Sequence, residues 1–151
     1  MLAVVLVLVV AAVAVSVAAL VRARTTPEPE RGPTWHVPTL VDRRDFDRPD
    51  ASWAVLAFTS STCLACADVW EKCEPLTSDA VAVQRVDSIE RKDLHDRYGV
   101  DAVPMVLLVD EVGSVRKDFI GPTTATDLWS ALAELREPGS VPPSCDGDIC
   151  G

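Results

Sequence analysis

The chain has 151 residues, five cysteines and a formal net charge of −9. This length suits one ordinary domain with accessory segments. With 23 acidic against 14 basic residues, no basic stripe is available to neutralise phosphates, which excludes a nucleic-acid partner from the expected functions. Arginine outnumbers lysine 11 to 3, and alanine and valine are abundant, a composition that suggests a GC-rich bacterial genome.

The first predicted element is a transmembrane anchor at residues 1–21. This stretch is apolar except for Ser16, and a helix needs about 20 apolar residues to cross a bilayer. A cleavable signal peptide would show a basic n-region and a shorter apolar core, and the stretch has neither. The sequence therefore predicts a single-pass protein of the bacterial cell membrane.

Two features predict opposite sides of the membrane for the rest of the chain. Arg22 and Arg24 follow the anchor directly, and the positive-inside rule then places the domain in the cytoplasm. Five cysteines in so short a chain favour an extracytoplasmic, oxidising compartment. Residues 22–36, rich in proline and charge, predict an extended spacer between the membrane and the domain.

From residue 37 onward the hydrophobic pattern alternates between strand and helix periods. Strands alternating with helices and ending in a hairpin predict an α/β, three-layer fold, in which helices flank a mixed central sheet. The tail at 138–151 is predicted to be flexible. The predicted strands are 37–41, 53–58, 81–86, 103–110 and 115–120, and the predicted helices are 42–47, 64–74, 88–98 and 124–137.

Cys63 and Cys66 lie where a buried strand gives way to a helix. The free amide groups and the positive dipole end of a helix favour a thiolate at Cys63. Cys66, about one turn further on, is close enough for its sulfur to reach Cys63. A thiolate beside a second thiol is what thiol–disulfide exchange requires, because the first sulfur attacks a disulfide and the second resolves the product.

A CxxC pair also occurs outside redox sites, and the surrounding sequence indicates which function applies. Metal sites contain the same spacing, and some pairs only fill a core. A pair that caps a helix after a buried strand in a βαβ context is typical of redox sites. Val103 and Pro104 add a second indication, because a cis proline can begin a strand after a tight turn.

Two stretches resemble the thioredoxin superfamily, and together they cover roughly residues 37–137. The segment WAVLAFTSSTCLAC is similar to the family's second strand and active-site loop, and YGVDAVPMVLLVDEVGSVRKDFIG is similar to its proline loop and closing hairpin. Pro104 stands at the position of the family's cis-proline, and Gly113 and Gly121 fall at glycine positions. The chain thus looks like a membrane-anchored bacterial thioredoxin-like protein.

The resemblance implies roles for individual residues. Cys63 would be the nucleophile and Cys66 the resolving thiol. The backbone beside Pro104, mainly Val103, would bind the substrate peptide as an added strand. Thr62 belongs to the small polar residues that leave the Cys63 sulfur approachable, and it completes the predicted substrate-binding set.

Several family positions differ in this chain. The family usually has Trp before the first cysteine and Gly-Pro between the two, whereas this chain has Thr62, Leu64 and Ala65. A buried acid that commonly handles the proton of the resolving thiol is replaced by Ala57, and the lysine often near it is Val83. The proton would therefore leave through water or another group.

Three further cysteines stand outside the CxxC pair. Cys73, seven residues after Cys66, is predicted to be a buried thiol beside Trp70, with a regulatory disulfide or a resolving role as the alternatives. Cys145 and Cys150 in the tail are a candidate accessory redox pair that would exchange with Cys63. Their alternatives are a simple structural bridge, idle thiols, or a zinc site formed by both pairs.

The favoured function is a membrane-tethered thiol–disulfide oxidoreductase that exchanges disulfides with protein partners. It requires an electron donor or acceptor, for which a membrane protein is one candidate, and neither a cofactor nor a metal is expected. One alternative is a copper- or zinc-handling module on the same fold. The other is a non-catalytic thioredoxin-like adaptor with a fixed Cys63–Cys66 bridge.

Overall fold

The computed structural model describes residues 35–140. The predicted anchor at 1–21, most of the predicted spacer, and the tail cysteines Cys145 and Cys150 lie outside the described residues. Within the described part of the chain, no helix is both long enough and apolar enough to cross a bilayer.

Four strands form one mixed central sheet. Their order across the sheet is β2-β1-β3-β4: β1 and β2 are parallel, whereas β1 with β3 and β3 with β4 are antiparallel. The parallel pair requires a crossover, and the last antiparallel pair is the predicted hairpin. The strands are β1 (Trp53–Thr59), β2 (Val81–Asp87), β3 (Met105–Asp110) and β4 (Val115–Ile120).

Helices cover both faces of the sheet, which confirms the predicted three-layer arrangement. They are α1 (Leu64–Cys73), α2 (Lys92–Tyr98) and α3 (Ala125–Arg136). On one face, α1 and α3 pack through Val69 and Leu128 against the sheet. On the other face, α2 packs through Leu94 beside residues of the N-terminal segment. Because β1 and β3 lie between these two layers, they are buried on both sides, as their continuous apolar sequences predict.

The predicted first strand at 37–41 is wrong, because the structure has only an isolated bridge between Leu40 and Ser114 there. The Val41 N–H donates to the Gly113 carbonyl at 2.8 Å, and pairing ends immediately afterwards. The Gly113 N–H donates to the Asp110 carbonyl at 3.1 Å within the turn instead of to Val41, so the ladder does not continue. Gly113, at φ +89°, is required here, since a Cβ would overlap the Val41 carbonyl oxygen. The helix predicted at 42–47 is a single 3₁₀ turn, Arg43–Asp45.

The helix predicted to start at Ser88 begins later, at Lys92. Asp87 causes the difference: its carboxylate accepts the N–H of Ile89 at 2.8 Å, and its carbonyl accepts the N–H of Arg91 at 2.8 Å. These bonds close a turn over residues 87–91 instead of a first helical turn. The predicted end of the helix is confirmed, since Gly99 caps it in the left-handed region at φ +63°.

His95 of this helix faces the core, although the charged residues beside it in the sequence indicate an exposed surface. The ring is buried, its Nε2 lies 3.0 Å from the Val86 carbonyl oxygen, and it meets the Phe58 ring edge-on at 5.1 Å between centroids. A carbonyl oxygen only accepts hydrogen bonds, so Nε2 carries the proton. The bond satisfies the polar end of the imidazole inside an otherwise apolar core.

Candidate functional site

Cys63 and Cys66 are joined in a disulfide at the start of α1, with their Cα atoms 5.3 Å apart. Cys63 is the N-cap residue of the helix and is half-buried, whereas Cys66, in the first turn, is fully buried. A turn in which the Cys63 N–H donates to the Ser60 carbonyl joins the end of β1 to the helix. This arrangement leaves the first sulfur the more accessible of the two.

The N-terminus of α1 stabilises negative charge at Cys63. The Cys66 N–H donates to the Cys63 Sγ at 3.2 Å, which is the hydrogen bond of an N-cap made by sulfur. The helix has ten residues, and its aligned peptide dipoles place a partial positive charge at this end. In the reduced protein, the same N–H and dipole favour a thiolate over a thiol at Cys63.

The loop before Pro104 leaves the sheet at the same end as the disulfide. In the antiparallel register, Phe58 of β1 lies opposite Met105 of β3, so Thr59 and Pro104 are the next residues outward on neighbouring strands. The Val103–Pro104 peptide bond is cis. The Pro104 carbonyl accepts the N–H of Gly121 at 2.8 Å, whereas Val103 makes no backbone–backbone hydrogen bond within residues 35–140.

The residues around Cys63 leave its sulfur approachable. Thr62 is exposed, and its Oγ1 lies 3.1 Å from the Ser60 Oγ, a hydrogen bond inside the loop. Leu64, the residue that follows Cys63, is 93% exposed. An almost fully exposed leucine contributes nothing to the core, so its apolar surface is available for a partner.

The interior behind the disulfide is apolar at the two positions where the resemblance would place an acid and a lysine. Ala57 is fully buried in the core cluster that includes Val69 and Cys73, and Val83 is packed against the same cluster. Neither side chain can accept or release a proton. The proton of the resolving thiol must therefore use a route other than these two positions.

Cys73 is a free thiol buried in the core, as predicted. Burial disfavours its thiolate and raises the pKa of Cys73 to about 12 from an ordinary value of 9.0. Cys73 is therefore a protonated, poorly reactive thiol at neutral pH. Within residues 35–140, no three His, Cys, Asp or Glu side chains are grouped so as to hold a metal ion.

A polar group that was not among the predicted site residues lies beside the active-site loop. Arg85 of β2 donates from Nε to the buried Thr59 Oγ1 at 3.0 Å, and its Nη2 lies 4.0 Å from the Asp87 carboxylate. Together with Ser61, these β2 residues line a surface cavity of about 280 Å³. The available sequence signal was an arginine two residues before an aspartate at the end of a strand.

The comparisons with known proteins agree with this geometry. Residues 44–134 match the family model described as Thioredoxin. A solved mutant thioredoxin from Halobacterium salinarum is 25% identical, with a TM-score of 0.53 over 62% of this chain and 81% of that chain. Fasciola hepatica thioredoxin is 20% identical, with a TM-score of 0.51 over 60% of this chain and 88% of that chain. Curated proteins gave no match. Since the family model spans more than half of the sequence and includes the CxxC pair, the chain belongs to the thioredoxin family.

Proposed function

We propose that the protein is a thiol–disulfide oxidoreductase that exchanges disulfides with protein partners through Cys63 and Cys66. The observation that supports this most strongly is the disulfide at the N-terminus of α1, with the Cys66 N–H bound to the Cys63 sulfur. That bond makes Cys63 the better nucleophile and the better leaving group of the pair. The burial of Cys66 and the partial exposure of Cys63 give the two sulfurs different access to a partner.

In the reducing direction, the Cys63 thiolate attacks one sulfur of the partner's disulfide. A bond forms between Cys63 and the partner, the partner's own S–S bond breaks, and the leaving sulfur takes a proton from water. The Cys66 thiolate then attacks the Cys63 Sγ, which breaks the mixed disulfide and releases the second partner thiol. Two electrons have passed to the partner, and the Cys63–Cys66 disulfide remains. A dithiol reductant restores both thiols, and the reverse steps oxidise a dithiol partner.

The partner peptide would bind in extended form beside Val103. The Val103 backbone groups make no backbone–backbone hydrogen bond to other described residues, so they are available to pair with an added strand. Pro104 is buried behind them, and Thr62 is exposed at the mouth of the site. An extended segment here would run past Cys63, because both loops leave the sheet at one end.

The domain would act while attached to the bacterial cell membrane through the predicted anchor at residues 1–21. The predicted spacer would allow it to reach either soluble or membrane-bound partners. A membrane protein that carries a reactive dithiol or disulfide is the donor or acceptor most compatible with such tethering. In this scheme, Cys145 and Cys150 are an accessory pair that passes electrons to or from Cys63.

The Cys66→Ser variant of the full chain tests this function. With Cys66 replaced, the mixed disulfide at Cys63 cannot be resolved, so we expect a stable adduct with half of a model peptide disulfide. Mass spectrometry of a Cys63-containing fragment would show the added mass, and dithiothreitol would remove it. In a protein extract, the same variant should accumulate mixed disulfides on non-reducing gels.

The matched control is the Cys63→Ser/Cys66→Ser double variant, which keeps Cys73, Cys145 and Cys150. It should form no adduct at the active-site loop. The proposed function is contradicted if the single variant forms no more adduct than the double variant and the parent chain reduces no model disulfide. That result would instead favour the adaptor function.

A further inference from the structure

The cavity beside Arg85 opens onto the active-site loop. Arg85 pairs in register with Ala57 on the parallel strand β1, so its side chain lies on the sheet face that α1 covers. Asp87 pairs in register with Thr59, the last residue of β1. Ser61, which lines the cavity together with Arg85, is two residues before Cys63. A group bound in this cavity would therefore lie beside the loop that carries Cys63.

The Arg85 guanidinium forms a hydrogen bond at its Nε end but none at its terminal nitrogens. Nε donates to the Thr59 Oγ1 at 3.0 Å, and Thr59 is fully buried, so this contact is fixed by the core. The terminal nitrogens make no hydrogen bond within residues 35–140, and 38% of the side chain is exposed. The guanidinium thus presents unused N–H donors to the cavity from a fixed orientation.

The neighbouring acids, Asp87 and Glu90, accept no hydrogen bond from these donors within residues 35–140. The Asp87 Oδ1 accepts the Ile89 N–H at 2.8 Å, and the Oδ2 lies 4.0 Å from the Arg85 Nη2, which is an ion-pair distance but too long for a hydrogen bond. The Asp87 side chain is only 9% exposed, so it offers little surface to an incoming cation. Glu90 also lines the cavity, but its side chain is exposed and can turn into solvent. Among the residues that line the cavity, the cation is Arg85, and its guanidinium pairs best with a carboxylate.

We propose that Arg85 is a specificity-determining residue that binds an acidic side chain of the partner protein close to its reactive disulfide. The inference rests on the proposed function and names the partner chemistry for that site. The chain carries a net charge of −9, so an acidic partner segment is attracted only where a local cation is presented. Arg85 would place such a segment across the active-site loop and bring its disulfide to Cys63.

The test compares model peptide disulfides that differ at one position. In each set, a residue flanking the attacked cysteine is Glu, Gln or Lys, and kcat/KM is measured with the full chain and a dithiol reductant. At one flanking position we expect the Glu peptide to exceed the Gln peptide about fivefold, as for a partly exposed ion pair. The preference should shrink as salt is added.

Three variants identify the residue responsible. Arg85→Gln should bring the ratio of kcat/KM between the Glu and Gln peptides to about one. Arg85→Glu should reverse the preference towards Lys. Arg116→Gln is the matched control: it removes the same charge from an exposed arginine beside Asp110, at the opposite end of the sheet from Thr59. It should keep the parent's preference, and circular dichroism should show that all three variants are folded under the conditions of the assay.

The outcomes separate this inference from the proposed function. If the parent reduces the Gln peptides but shows no preference for Glu, or prefers Lys, the role of Arg85 is overturned and the oxidoreductase function stands. A Glu preference that survives in Arg85→Gln overturns it equally. If no peptide is reduced at all, the proposed function fails, and this inference fails with it.

Discussion

Replacing Cys63 by serine is expected to reduce disulfide exchange to the rate of the uncatalysed reaction. Serine is nearly isosteric and can still cap α1, so the fold should persist. Its hydroxyl cannot form the mixed disulfide on which every later step depends. The measurement is the reduction of a model peptide disulfide by the full chain in the presence of a dithiol reductant.

The control for that variant is Cys73→Ala, which also removes one thiol from the same helix. Cys73 is buried and has a pKa raised to about 12, so it contributes no reactive thiolate at neutral pH. Exchange by Cys73→Ala should stay close to that of the parent chain. Substantial exchange by Cys63→Ser, or its loss in a folded Cys73→Ala variant, would show that the nucleophile has been misassigned.

Leu107→Ala is expected to lower the free energy of unfolding by about 3 kcal/mol, the largest stability effect that we predict. Leu107 is fully buried at the centre of β3, opposite Leu56 of β1, and it belongs to the core cluster beneath α2. Truncation removes apolar contacts and leaves a cavity that the two neighbouring strands cannot close. Denaturant unfolding monitored by circular dichroism gives the difference.

Leu64→Ala is the matched control, because it makes the same chemical change at a leucine that is 93% exposed. The free energy of unfolding should change by no more than about 0.5 kcal/mol. Similar losses for the two variants would contradict the described packing of β3 in the core.

The strands that build the sheet were predictable because their burial leaves a simple pattern. β1 and β3 are covered on both faces, and their sequences are accordingly apolar almost without interruption. β4 was predictable because the turn at Gly113 indicates a hairpin that returns beside β3. The crossover helix α1 was predictable because Pro75, just beyond its end, cannot continue a helix.

The elements that were predicted wrongly depend on contacts between residues distant in sequence, or on side chains that compete with backbone groups for hydrogen bonds. The segment at 37–41 makes one bridge to Ser114 and then turns, which its apolar residues do not reveal. Ser88 appeared to be a helix cap, but the Asp87 carboxylate binds the Ile89 N–H and delays the helix. His95 of the same helix is a polar residue among charged ones, yet it is buried, because its ring hydrogen-bonds to the Val86 carbonyl.

The active-site pair was predictable, whereas the polar group beside it was not. Cys63 and Cys66 are three residues apart on one chain segment, so local helix geometry brings them together. Arg85 reaches Thr59 only because β1 and β2 are parallel and in register, a pairing across 26 residues of sequence. No local sequence pattern predicts that register between the two strands.

The pH dependence of alkylation in the fully reduced chain tests the central claim most directly, namely that the N-terminus of α1 stabilises a thiolate at Cys63. Rates of reaction with iodoacetamide would be measured at each cysteine by mass spectrometry, with an unstructured cysteine peptide as reference. Cys63 should react at a lower pH than the peptide, and Cys73 only at a much higher pH, because burial raises its pKa to about 12. A Cys63 profile that coincides with that of the peptide would contradict the account.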